Sequence, residues 1–185
     1  MSKILKVLYL LFCLIFIFYL VLPGYKFPNP PSDALQSDEP GDTESPLRRA
    51  YFTNLTREEV MNYYKNQFTH SSFYNLPLPI YRLNYPPEDA QTLIRDQTRS
   101  TFLEEIVHPF RESLYVNGFE PKEKKDAINI AGKIWRQKII VKYVPSLIWV
   151  RLLIALPTLI LIPLLYLETK KTIILLINRL KNRKK

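Results

Sequence analysis

Residues 147–167 read LIWVRLLIALPTLILIPLLYL and carry one charge, Arg151. A helix rises about 1.5 Å per residue and the hydrocarbon core of a bilayer is about 30 Å thick, so roughly 20 apolar residues cross it. The stretch has that length. It predicts a transmembrane helix rather than a core helix of a soluble protein, which seldom runs so far without polar residues. Trp149 and Tyr166 fall near its two ends, where amphipathic rings favour the headgroup level. Arg151 lies within a turn of Trp149, which predicts a guanidinium reaching back to the interface. Pro157 and Pro163 predict bends of a kind membrane helices tolerate.

Outward from this stretch, residues 168–185 hold seven basic side chains (Lys170, Lys171, Arg179, Lys181, Arg183, Lys184 and Lys185) against Glu168 alone. Most of the chain's net charge of +9 therefore follows the apolar stretch directly. That placement predicts anionic inner-leaflet lipid headgroups, and not nucleic acid, as the partner of the cations. Ile173, Leu176, Ile177 and Leu180 share one helical face, so the tail is expected as an amphipathic helix lying at the membrane surface.

The N-terminus repeats the pattern. Residues 4–22 are apolar apart from Lys6, behind a short basic start with Lys3. A cleaved signal would show small residues before the cut, whereas Tyr19, Leu20, Val21, Leu22 and Pro23 are bulky or rigid. Residues 1–23 are accordingly read as an uncleaved anchor; a secreted precursor with a cleaved signal and a C-terminal anchor is the alternative. Cys13 is the one cysteine, which excludes an intramolecular disulfide and a thiolate metal framework. Bulky Phe12 before it and the apolar run beyond it favour a membrane-buried thiol over lipid attachment.

Between the two apolar stretches, residues 24–46 are rich in proline and acid. Such a segment buries too little to offset its ordering entropy, and disorder or extended chain is expected. Residues 47–146 carry the folded domain. Thr56 and Glu59 form a capping box, and Val60, Met61, Tyr64 and Phe68 recur at helical spacing. Residues 80–85 alternate, with Tyr81, Leu83 and Tyr85 on one side of a strand. Pro86-Pro87 then opens a predicted helix. A second helix, or a kinked continuation, is expected through Phe102, Leu103, Ile106 and Val107, capped by Thr101 and Glu104 and ended by Pro109.

Residues 113–119 read as a strand with a turn or bulge at Asn117-Gly118, and residues 128–130 as a short strand before a turn at Gly132-Lys133. Residues 134–144 form the strongest strand, Trp135, Ile139, Val141 and Tyr143 facing one way. The fold class is therefore α+β, a small extracytoplasmic domain with an antiparallel sheet and covering helices, flanked by two transmembrane helices. The basic ends place both termini in the cytoplasm, and the acidic linker places the domain outside. Asn54-Leu55-Thr56 is a formal glycosylation acceptor, a pattern that also arises by chance.

Chemistry-bearing residues are sparse. The densest polar cluster is Asp96, Arg99, Ser100, Glu104 and Glu105, which reads as a solvated helix face with ion pairs or as the lining of a cleft; the catalytic candidates are Asp96, Arg99, Glu104, Glu105 and His108. On a helix, Glu105 (i,i+3) and Glu104 (i,i+4) would both share a face with His108, the placement used by di-iron bundles, but those sites need the motif twice and further carboxylates. With four glycines and no G-x-S-x-G, neither a phosphate-cradling loop nor a nucleophile elbow is present. No cofactor is expected. The aromatic group Tyr63, Tyr64, Phe73, Tyr74, Tyr81 and Tyr85 is the candidate interaction surface. These features predict a two-pass membrane protein serving as an envelope or cell-surface interaction or assembly module, partnered by another membrane or envelope protein. A membrane-anchored enzyme using the region from Asp96 to His108 is the competing class.

Overall fold

The computed structural model describes residues 3–86, 102–121 and 126–182. It divides into two compact units, one made of Met1–Leu22 with Leu147–Lys185, the other of Pro23–Ser146.

The first unit holds two helices, α1 (Lys3–Val21) and the 35-residue helix that begins at Ile148 and ends at Asn182. Both are long and apolar enough to cross a membrane. The second helix runs unbroken through Pro157 and Pro163 and on past Leu167. The separate surface helix expected for the tail is therefore not found. The junction ETKKT offers no terminator, and it closes on itself: Lys171 pairs with Glu168 at 2.7 Å and the Thr172 hydroxyl donates to the Glu168 carbonyl at 3.0 Å. At about 1.5 Å per residue the helix is roughly 52 Å long, more than one bilayer core requires.

The two helices are tied by polar groups that would otherwise be costly in an apolar setting. The Tyr9 hydroxyl donates to the Leu159 carbonyl at 2.5 Å. Arg151, expected to reach for headgroups, is 5% exposed and donates to the carbonyls of Leu20 (3.0 Å) and Leu22 (3.4 Å). These carbonyls lie at the C-terminal end of α1, where a helix leaves acceptors unsatisfied and its dipole favours a cation.

The second unit is α+β. Strands β1 (Leu35–Gln36), β2 (Arg48–Thr53), β3 (Tyr81–Tyr85), β4 (Phe102–Val107), β5 (Ser113–Phe119) and β8 (Gln137–Val144) form a six-stranded sheet in the order β1-β2-β8-β5-β4-β3, with every neighbouring pair antiparallel. β6 (Ile128–Ile130) and β7 (Lys133–Trp135) make a separate hairpin. Its turn falls at Ala131-Gly132, one residue before the expected position; both residues have positive φ, +55° and +73°, which a two-residue hairpin of this type requires.

Helix α2 (Arg57–Phe68) covers one face of the sheet. Thr56 caps it as expected, accepting from the Glu59 amide while the Glu59 carboxylate accepts from the Thr56 amide. Val60, Met61, Tyr64 and Phe68 are fully buried against Tyr51, Phe102, Ile106, Leu114, Val116, Ile139, Val141 and Tyr143. Each large apolar side chain so buried contributes about 1.5–3 kcal/mol before entropy is counted.

The proline-rich segment is extended but not loose. Leu35 and Gln36 pair with Phe52 and Tyr51, and Tyr25, Phe27 and Ala34 pack on the core. Lys138 reaches Asp42 (2.7 Å) and Glu39 (2.6 Å), and the Thr53 hydroxyl donates to Asp33 (2.7 Å). The segment's acids thus clip it to the sheet.

Residues 102–107 correct the helix expected there. They are a strand paired on both sides, and Phe102 to Ile106 are buried on both faces. The bulge expected at Asn117-Gly118 is absent too, because both residues stay in register with β4 and β8. Gly118 lies opposite Phe102, whose ring occupies the space that a Cβ would need. Gly118→Ala should therefore displace that ring and lower stability by about 1–3 kcal/mol, as overpacked core substitutions do. An unchanged denaturation midpoint would show that the ring yields freely. The helix expected after Pro86 lies outside the described residues.

Candidate functional site

Strand periodicity puts Phe102, Glu104 and Ile106 on the α2 side and Leu103, Glu105 and Val107 on the other. Glu104 and Glu105 therefore point to opposite faces, and His108 comes after the strand ends. The three do not share a site. Asp96 and Arg99 lie outside the described residues.

Glu104 has a fully buried side chain under the start of α2. Arg57 Nε donates to its Oε1 at 2.6 Å, and Arg82 donates to both carboxylate oxygens. Arg82 also forks onto Glu58 at 2.9 and 3.0 Å, while Arg57 reaches Asn84 at 2.9 Å and lies over the Phe102 ring at 4.9 Å. Arg82 and Asn84 occupy the inward side of β3, so Tyr81 and Leu83 face outward, 65% and 45% exposed. Burial alone would push the Glu104 carboxyl up; the hydrogen bonds from Arg82 and Arg57 outweigh it and hold it below its ordinary range. The hydrogen bond to Arg82 likewise holds Glu58 low, and the two carboxylates push the Arg82 guanidinium up. The cluster is charge-balanced and its acids stay ionised. It locks α2 to the β3–β4 edge and offers no proton to donate near neutral pH.

His108 is fully buried, stacked on Phe68 with ring centroids 4.0 Å apart. Its Nε2–H donates to the Phe68 carbonyl at 2.6 Å, and Nδ1 lies 2.9 Å from Glu112. Arg111 donates to Glu112 at 2.9 Å and to the Pro23 carbonyl at 2.8 Å. The network joins the end of α2, the β4–β5 turn and the first residue of the domain. No substrate reaches an imidazole so enclosed.

On the face opposite α2, the Tyr85 hydroxyl donates to Glu105 at 2.5 Å, which pushes its pKa up, and Tyr115 lies alongside. The Tyr85 hydroxyl supplies no acid near neutral pH either. Among the described residues no group of three or more His, Cys, Asp and Glu side chains is placed to hold a metal ion.

No family model, no curated protein and no solved structure matches this chain.

The aromatic candidates separate. Tyr64 is core, its buried hydroxyl without a hydrogen-bond partner among the described residues, and burial pushes its pKa up. Tyr63 donates to the Pro30 carbonyl at 2.6 Å and so binds the extended segment. Tyr85 is held by Glu105, whereas Phe73, Tyr74 and Tyr81 are exposed by 39%, 86% and 65%. Phe110, 76% exposed in the β4–β5 turn, joins this exposed set and was not singled out from sequence. No local pattern marks it: FLEEIV does not alternate, and Phe110 becomes a turn-tip aromatic only once residues 102–107 are seen as a strand paired with 113–119. Of the cations assigned to headgroups, Lys170, Lys171, Arg179 and Lys181 are exposed along the long helix; Arg183, Lys184 and Lys185 lie outside the described residues.

Proposed function

We propose that the chain is a two-pass membrane protein whose Pro23–Ser146 domain lies outside the cytoplasm and acts as a non-enzymatic interaction or assembly module. One observation carries most of this reading: Arg151, the charge inside the second apolar stretch, is bonded to the Leu20 carbonyl of α1 and the Leu22 carbonyl just beyond its end. Removing α1, as a cleaved signal would be removed, leaves that guanidinium without those acceptors in an apolar setting. Two retained helices tether the domain at both ends.

The charge pattern supports both termini in the cytoplasm. Lys3 and Lys6 lie in the first turn of α1, and Lys170, Lys171, Arg179 and Lys181 follow the second apolar stretch, positioned for anionic lipid headgroups of the inner leaflet. The module reading rests on how the ionisable groups are spent. Glu104, His108 and Lys138 each join separate segments of the domain, which favours a rigid platform over a reactive cleft. Its protein partner, another envelope or membrane protein, would meet the sheet face opposite α2, which carries no helix among the described residues and presents Leu83 and Lys142.

A photo-crosslinking residue at Leu83 or Lys142, in cells, should give one discrete adduct common to both sites and absent when the probe is at Glu58 on the α2 side. Adducts of unrelated mass at every site would remove the module reading. Retention of α1 is checked separately by N-terminal sequencing, which should begin at Met1 or Ser2; a start after Leu22 would support the secreted alternative.

A further inference from the structure

The β4–β5 turn marks the end of the domain at which the chain both enters and leaves. Pro23, its first residue, is held by Arg111, and Val144, shortly before its last, pairs with Ser113. The loop that follows α2 is at the same end. Phe68 sits on His108, and the loop closes just beyond it, the Leu78 amide donating to the Thr69 carbonyl at 2.7 Å. Tyr81 is there too, paired with Val107.

In the β4–β5 turn, polarity is the reverse of what water selects. The charged members of the turn, Arg111 and Glu112, are turned inward with 9% and 1% exposure, while Phe110 is 76% exposed. Tyr74 is 86% exposed, its ring against Phe73 at 4.7 Å. Phe110 and Tyr74 also hold φ of +60° and +51°, a region that bulky side chains rarely adopt. Strain of this kind persists where the presented side chain has a use.

We infer that Phe73, Tyr74, Tyr81 and Phe110 form a lipid-facing rim that seats this end of the domain in the headgroup layer of the bilayer its own helices cross. The occupant follows from chain continuity: the polypeptide at this end passes directly into α1 at Leu22 and toward the second apolar helix at Leu147. Aromatic side chains partition to that layer, Tyr by its polar hydroxyl and apolar ring, and Phe by burying its ring at the acyl boundary. The inference rests on the reading that both helices span the membrane.

The test uses the full chain with Cys13→Ala in phosphatidylcholine vesicles. An environment-sensitive fluorophore is attached at Tyr74→Cys, Phe110→Cys, Asn129→Cys or Ile160→Cys, with nitroxides on the lipid headgroup or mid-chain. Labels at 74 and 110 should shift to the blue and lose emission to the headgroup nitroxide. The label at 129, in the β6–β7 hairpin, should do neither, and the label at 160 should be quenched by the mid-chain nitroxide. Unquenched labels at 74 and 110 beside a quenched 160 would overturn the rim and leave the spans standing. An unquenched 160 would overturn the spans and the rim together. Equal quenching at 129 and 110 would also overturn the rim, since contact would then not be confined to one end.

Discussion

Replacing Glu104 with glutamine should cost the domain about 3 kcal/mol, the low end for breaking a buried ion pair, and lower its melting temperature by roughly 10 °C. The low end applies because Arg57 and Arg82 are 39% and 30% exposed and can turn to water once released. The loss is of charge, since glutamine keeps the shape but cannot serve two guanidinium groups. The same residue sets an acid limb. A carboxyl held below its ordinary value contributes stability that is present above the unfolded pKa and is lost as pH falls through the folded pKa. Stability should thus be level through neutral pH and decline below the ordinary carboxyl value of 4.5, as Glu104 takes up a proton. Glu58 and Glu59 are lowered as well and add to the same limb. Chemical denaturation at pH 7 and pH 3.5 should show a smaller pH effect in Glu104→Gln than in the parent chain. An equal effect in both would mean that the cluster does not couple to folding.

The second large effect is expected at Phe68. Its side chain is fully buried, stacks on His108 and meets the Tyr25 ring edge-on at 4.8 Å. Phe68→Ala should cost about 3–5 kcal/mol, the transfer term plus a cavity between α2, the β4–β5 turn and the incoming chain. The backbone acceptor for His108 remains, so the loss is one of packing. Hydrogen exchange should show the β4–β5 turn and residues 23–27 losing protection along with the end of α2. Loss confined to α2 would mean that the turn and the entry segment are held independently.

These two residues also show how far the sequence could be read. Helix α2 was legible because Thr56 and Glu59 make a local cap and Val60, Met61, Tyr64 and Phe68 repeat at a local period. Ile139, Val141 and Tyr143 made most of the last strand legible for the same reason, since alternation is a property of neighbours in the chain, but the strand expected over 134–144 divides at Arg136 into the end of β7 and β8. Residues 102–107 were not. FLEEIV is buried on both faces, and its two carboxylates read as a solvated helix face until Arg57, Arg82 and Tyr85 are seen beside them. Those partners are set by tertiary pairing across 47, 22 and 20 residues of sequence, which no local pattern records. The alternation of β3 is legible, but which side faces α2 is not: Arg82 and Asn84 turn inward because Glu104 lies across from them. The segment before β2 looked too polar to order, yet its acids find Lys138 and Thr53. The aromatic rim was half legible: Phe73, Tyr74 and Tyr81 stood out by residue type, but the common end they share with Phe110 appears only once β4 is a strand.

The central claim is that two spans hold the domain outside the cytoplasm, and one paired measurement tests it. In a Cys13→Ala background, a cysteine at Asn129 should react with a membrane-impermeant maleimide added to intact cells, while a cysteine at Asn182 should react only after the membrane is opened. Protection at 129 with labelling at 182 in intact cells would contradict the account.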